Sequence, residues 1–184
     1  AEKYDTILLY LGLTDLAESE GGDRAHMRLP DDQLELVNAL TKTGKKIVVV
    51  LSGGSPVELP FADDVNAILN LYLYLPGQCG GEAGARLFFG EANPSGKLAE
   101  TWYKSYADVP YGDEYSKKTN EFYKESVFVG YRYAKTAKVK PAFPFGFGLS
   151  YTDFEYKNLA VTSENGVVTV TLTVRNTGSR DGAE

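Results

Sequence analysis

The side chains best suited to chemistry are gathered in Ala17-Glu18-Ser19-Glu20-Gly21-Gly22-Asp23-Arg24, a run that Met27-Arg28-Leu29-Pro30 closes. It packs three carboxylates, a guanidinium and two adjacent glycines into one loop. A carboxylate beside Gly-Gly approaches a ligand closely because no side chains crowd the backbone there, and a guanidinium holds a neighbouring carboxylate in a fixed fork geometry. That combination suits a carboxylate that works against a bound ligand. Glu20 is the leading candidate and Glu18, two residues earlier, its rival for the same role. Asp23 and Arg24 read as loop supports or substrate neighbours, with an Arg–Asp interaction fixing the backbone that positions Glu20. On residue types alone, a solvated acidic loop is the commoner outcome.

The elements around the loop sharpen this reading. Thr6-Ile7-Leu8-Leu9-Tyr10-Leu11-Gly12 is an apolar run of strand length, as expected for a strand covered on both faces of a parallel sheet. The Glu20 loop follows at its carboxyl end, where ligand sites gather in open α/β sheets. Pro30-Asp31-Asp32 opens a helix with acidic residues at its positive end, Leu34, Val37 and Leu40 share one face, and Gly44 supplies the stop. Ile47-Val48-Val49-Val50-Leu51 is a second buried strand, which completes a βαβ unit. Ser52-Gly53-Gly54-Ser55-Pro56 is neither a nucleophile elbow, since Val57 stands where G-x-S-x-G needs glycine, nor a phosphate loop, since no Lys-Ser/Thr pair follows. It reads as a loop that shapes the neighbourhood of the site.

Asn66 to Tyr74 reads as a third strand, although periodicity leaves a buried helix open. The glycines of Pro76 to Gly84 miss the G-x-G-x-x-G spacing of a dinucleotide site, and they read as close strand-to-helix packing ahead of a helical stretch, Ala85 to Phe89. Gly90 to Leu98 is a turn by its Asn-Pro and Ser-Gly dipeptides. Thr101 to Lys140 is polar, rich in tyrosine and irregular, apart from a patterned stretch at Val127 to Tyr133; long irregular segments in compact domains are often functional. Beyond Tyr151, Val168, Val170, Leu172 and Val174 alternate with polar residues after the turn signal Glu164-Asn165-Gly166, which describes antiparallel strands. The fold class is therefore α/β: a partial, mostly parallel sheet flanked by helices over 1–150, then a short antiparallel β segment over 151–184.

Composition removes several function classes. In 184 residues, 43% hydrophobic content is ample for a packed core. Nineteen basic against 25 acidic residues give a net charge of -6, which argues against a nucleic-acid partner because no basic excess exists to release counterions. The single Cys79 excludes an internal disulfide, and with His26 the single histidine it cannot build an ordinary zinc site, so no metal or cofactor is expected. No apolar run approaches about 20 residues, so no membrane span is expected. Ala1-Glu2-Lys3-Tyr4-Asp5 lacks the regions of a signal peptide, which points to the cytoplasm unless a leader lies upstream.

Glu20-Gly21-Gly22-Asp23-Arg24, followed by Leu29-Pro30 and Gln33, resembles the E-G-x-D-R loop of glycoside hydrolase family 3, the β-glucosidases, β-xylosidases and their relatives. The run Pro76-Gly77-Gln78, the stretch Gly90 to Leu98 (G-x-x-N-P-S-G-K-L), Val129-Gly130-Tyr131-Arg132-Tyr133 and Pro144 to Thr152 are similar to further family motifs, in the family's order. The resemblance implies that Glu20 is the general acid/base of a retaining β-glycosidase, most simply a β-glucosidase. It implies that 1–150 is part of the family's α/β sandwich domain and 151–184 the opening of a fibronectin-III-like domain. It also implies that the Asp nucleophile belongs to a (β/α) barrel domain that these residues do not include.

The expected substrate is a β-linked oligosaccharide or an aryl or alkyl glycoside, cleaved at a terminal non-reducing sugar. A chain that opens and closes inside domains exposes sheet edges, so self-association is a further expectation. A second hypothesis, motivated by the lack of an assignable nucleophile partner, is a non-catalytic carbohydrate-binding or protein-interaction module on the same fold. A generic α/β hydrolase is disfavoured, because His26 is the sole histidine and no elbow precedes it.

Overall fold

The structure is a computed structural model that describes residues 3–73, 76–114, 119–120 and 122–184. The chain divides into two compact units, Ala1–Gly80 with Ala99–Phe145, and Gly81–Leu98 with Gly146–Glu184.

The first unit is built on a three-stranded parallel sheet of order β1-β2-β3, formed by β1 (Thr6–Gly12), β2 (Lys46–Gly53) and β3 (Ala67–Leu73). The third strand of the sequence reading is thus a strand, and Tyr74 lies outside the described residues. Strand β2 is central and is covered on both faces: Ile47, Val49, Val50 and Leu51 are each at most 1% exposed. The expectation of two covered faces fails for β1. Leu9 and Leu11 are buried, while Leu8 and Tyr10 are 48% and 59% exposed. Side chains alternate between faces, and on the face of Leu8 and Tyr10 the described residues leave this strand open.

Helix α1 (Asp31–Thr41) joins β1 to β2 in sequence. Pro30 precedes it at φ -51°, the value a first turn needs, and Asp31 and Asp32 face its positive end. Val37 and the preceding Leu29, each 1% exposed, anchor it in the core. Gly44 then turns the chain at φ +68°.

The carboxyl ends of β1 and β2 come unusually close. A Cβ on Gly12 would stand 2.4 Å from the Ser52 carbonyl oxygen, so glycine permits the approach. Leu13 N–H donates to that same carbonyl at 3.2 Å. Across from it, the Gln33 amide clamps Gly12 from α1: Gly12 N–H donates to Oε1 at 3.0 Å and Nε2 donates to the Gly12 carbonyl at 2.9 Å. The strand end from which the candidate loop departs is therefore fixed on two sides.

The irregular segment that follows residue 99 is tied down by Trp102, which is 0% exposed. Its N–H donates to the Phe143 carbonyl at 2.9 Å, and the two rings meet edge-on at 6.2 Å between centroids. Tyr103 beside it is 8% exposed and its hydroxyl donates to the Gly130 carbonyl at 3.3 Å. Burial, then Tyr133, Glu125 and Asp108, push its phenol above the ordinary tyrosine range. The patterned stretch at Val127 to Tyr133 resolves into turns leading to a short helix, α3 (Tyr131–Thr136).

Helix α2 (Gly80–Phe88), which belongs to the second unit from Gly81 onward, starts five residues earlier than its pattern suggests. Gly80, Gly81 and Gly84 lie inside it, and each carries a propensity penalty of about 1 kcal/mol that hides the helix from sequence reasoning. Asn93 pins the following turn: its Nδ2 donates to Ser150 Oγ and its Oδ1 accepts from Tyr151 N–H, both at 2.8 Å. Strands β4 (Phe154–Glu164) and β5 (Val167–Asn176) form an antiparallel pair. Their connection holds Asn165 and Gly166 at φ +51° and +78°, the left-handed pair that a two-residue hairpin requires.

Candidate active site

Glu20 occupies the second position of a β-turn closed by Gly22 N–H donating to the Ser19 carbonyl at 3.1 Å. Gly21, third in the turn, has φ +80°, the conformation type II turns reserve for glycine. The adjacent glycines therefore make the corner on which Glu20 stands. Its side chain is exposed, with no hydrogen-bond or ion-pair partner among the described residues.

Glu18 is held quite differently. Gly54 N–H donates to both its carboxylate oxygens, at 2.9 and 2.8 Å, and Ser55 Oγ donates to Oε1 at 3.2 Å. A carboxylate accepting such bonds is an anchor, which ties the start of the loop to the end of β2.

Arg24 anchors the other end of the loop. The expected pairing with Asp23 is replaced: Arg24 Nη2 donates to Ser55 Oγ at 2.5 Å and to the Pro56 carbonyl at 3.2 Å. The reach of the arginine stem explains the difference, since it carries the guanidinium inward to the β2 loop, whereas Asp23 stays exposed. Arg24 Nη1 is buried without a hydrogen-bond partner among the described residues. Ser55 thus accepts from Arg24 and donates to Glu18, and Ser52 to Pro56 does shape the site loop by bracing it at both ends.

Sequence reasoning missed the hydroxyl of Ser55 as the link between those two anchors. It also missed Glu58, whose N–H donates to the Met27 carbonyl at 2.8 Å while its carboxylate accepts from Tyr106 N–H at 2.7 Å. Glu58 joins the chain beyond the loop to the tyrosine-rich segment, and a cleft of about 700 Å³ has Asp23, Arg24, Tyr106, Tyr111 and Tyr123 in its lining. Glu20 is not in its lining. Among the described residues, no group of three or more His, Cys, Asp or Glu side chains is placed to hold a metal ion, and no helix is long and apolar enough to cross a membrane.

The Ser55 bridge makes a direct prediction. Ser55→Ala leaves Arg24 Nη2 with the Pro56 carbonyl alone and removes one of three bonds to Glu18, so stability should fall by about 1–2 kcal/mol in urea unfolding. Ser55→Thr, which keeps the hydroxyl, should recover most of it. An unchanged unfolding midpoint for the alanine variant would show that the bridge contributes nothing.

The chain is similar to known proteins along its length. The family profile for the glycosyl hydrolase family 3 C-terminal domain matches residues 1–151. Thermostable beta-glucosidase B of Acetivibrio thermocellus is 44% identical over 194 aligned positions, which take in 100% of this chain and 25% of that protein. The crystal structure of the Bifidobacterium adolescentis GH3 beta-glucosidase superposes with a TM-score of 0.87 at 42% identity, over 95% of this chain and 26% of the other. Beta-glucosidase 3B from Thermotoga neapolitana, solved in complex with alpha-D-glucose, superposes with a TM-score of 0.85 at 36% identity, over 97% and 26% of the two chains. The 184 residues span about a quarter of the length of these relatives.

Proposed function

The chain belongs to glycoside hydrolase family 3, and from that premise we propose that it carries the acid/base half of a retaining β-glycosidase active site, in the first instance a β-glucosidase. The substrate is a β-linked oligosaccharide or an aryl or alkyl β-glycoside, cleaved at its terminal non-reducing sugar. Glu20 is the general acid/base, and the nucleophilic carboxylate comes from a barrel domain outside these 184 residues.

Retaining enzymes set their two carboxyl groups about 5–5.5 Å apart. As the nucleophile attacks the anomeric carbon, the glycosidic bond breaks and protonated Glu20 gives its proton to the departing oxygen, which leaves as an alcohol. The Glu20 carboxylate then takes a proton from the water that attacks the glycosyl intermediate, and the hydrolysed sugar leaves with Glu20 protonated again.

The observation that carries this reading is the contrast between the two glutamates. Both oxygens of Glu18 are engaged by Gly54, whereas Glu20 stands unpartnered among the described residues at the exposed corner of a turn whose two flanks are braced. A proton donor needs a fixed backbone and a free carboxyl group, and Glu20 has both.

Joining the chain to a family 3 barrel domain tests the reading. The joined protein should hydrolyse aryl β-glucosides, while the isolated chain and the isolated barrel should not. Turnover by the purified chain alone would place the nucleophile within it and overturn the proposal.

A further inference from the structure

With Glu20 as the acid/base, the reading on which this step rests, we infer that Gln33 is a positioning residue for the same reaction. Its side-chain amide closes the neck of the loop that carries Glu20 and so sets where the proton donor stands.

The chain leaves the sheet at Gly12, the last residue of β1, and enters α1 two residues before Gln33. Gly12 and Gln33 stand 21 positions apart and are bonded to each other twice, Gly12 N–H to Oε1 at 3.0 Å and Nε2 to the Gly12 carbonyl at 2.9 Å. One planar group thus offers Gly12 both the acceptor and the donor that a neighbouring strand would offer. Everything between the two residues, Glu20 included, forms a loop whose ends this amide joins.

Gly12 leaves few other ways to fix that neck. A Cβ there would stand 2.4 Å from the Ser52 carbonyl oxygen, so the position can act only through its backbone, and Gln33 holds both of its backbone polar groups. The remaining supports of the loop all run to one stretch at the end of β2. Leu13 is bonded to Ser52, Glu18 to Gly54 and Ser55, Arg24 to Ser55 and Pro56, and Met27 to Glu58. Gln33 adds the tie to α1.

Glu20 has no hydrogen-bond or ion-pair partner of its own among the described residues, so the supports of its backbone alone fix its carboxyl group. Freed of Gln33, the start of the loop can shift against the helix in which the loop ends. A shift of about 1 Å at a catalytic group can lower a rate by as much as about 10²-fold.

The test uses the full chain joined to a family 3 barrel domain and an alkyl β-glucoside, whose departing oxygen needs a proton. Gln33→Met, similar in length but without either hydrogen bond, should lower kcat by about 10- to 100-fold and leave KM unchanged. Gln33→Glu supplies a pH readout. Protonated, the introduced carboxyl group accepts from Gly12 N–H and donates to the Gly12 carbonyl; ionised, it has no proton to donate. Its kcat, taken as a ratio to the parent at each pH, should therefore rise toward one as pH falls from 7 toward 4. Val37→Ala is the control. Val37 is 1% exposed in the same helix, so this variant thins the core and spares the clamp; its unfolding midpoint should fall while its kcat stays at the parent value.

Circular dichroism at the assay temperature shows which variants are folded, and the pH ratio of Gln33→Glu decides the matter if Gln33→Met does not fold. A parental kcat for folded Gln33→Met, a flat pH ratio for Gln33→Glu, or a loss of kcat in Val37→Ala equal to that in Gln33→Met overturns the assignment. The two readings fail separately. A wrong acid/base shows as Glu20→Ala retaining hydrolysis of the alkyl glucoside, a wrong positioning residue as Gln33→Met retaining the kcat that Glu20→Ala has lost.

Discussion

Replacing Glu20 with Ala in the chain joined to a barrel domain is expected to lower hydrolysis of oligosaccharides and alkyl β-glycosides by about 10²–10⁴-fold, the range that general acid–base catalysis contributes. Substrates with activated aryl leaving groups should lose far less in the first step, because their oxygen departs without a proton. Their glycosyl intermediate should then accumulate, since the base that activates water is gone. Azide, a nucleophile that needs no deprotonation, should restore turnover and leave as the glycosyl azide. Glu18→Gln gives the contrast. It loosens the hold of Gly54 and Ser55 on the loop, so it should depress all substrates alike and show no azide rescue. If Glu18→Gln shows the leaving-group dependence and Glu20→Ala does not, the roles are reversed.

Residue order marks both glutamates, while the fold alone distinguishes the held Glu18 from the free Glu20. The loop, its place after β1 and its family resemblance were all readable from residue order, as were the helix signals at Pro30 and Gly44 and the continuous apolar run of β2. Periodicity cannot tell an edge strand from a central one, so β1 read as covered on both faces when Leu8 and Tyr10 are open. The start of α2 was hidden by glycines that normally mark loops. Within the site, adjacency in sequence invites a pairing of Arg24 with Asp23, whereas the long arginine stem selects a partner 31 positions away. The cleft has no sequence signature beyond an excess of tyrosine, because Glu58, which joins the two segments, takes backbone groups of Met27 and Tyr106 as its partners, and residue types do not reveal those. Gln33 lies between these cases: its place after Leu29-Pro30 is legible in the sequence, but its grip on Gly12 requires the fold.

The second large effect is expected at Trp102, the one tryptophan of the sequence, and it concerns how an irregular segment comes to form a wall at all. Between Ala99 and Phe145 the described residues hold only short helical turns, so few backbone ladders fix the segment that bears Tyr106, Tyr111 and Tyr123. Trp102 substitutes for them. It is 0% exposed, its N–H donates to the Phe143 carbonyl, its own carbonyl accepts from Ala142 and Phe143, and its ring abuts that of Phe143. Trp102→Ala should therefore cost about 3–5 kcal/mol, since the cavity left by an indole in a packed core collapses only in part. For a chain of this length that corresponds to a fall of roughly 6–20 °C in melting temperature. Trp102→Phe should cost less than half as much. It keeps a ring against Phe143, and the indole N–H it removes has no hydrogen-bond partner among the described residues. Thermal unfolding followed by circular dichroism reads both variants without relying on the lost fluorophore. Equal melting temperatures for Trp102→Ala and the parent would mean that the segment is held elsewhere. With the expected order, Trp102→Phe keeps the segment that bears Tyr106, Tyr111 and Tyr123 in place and Trp102→Ala releases it.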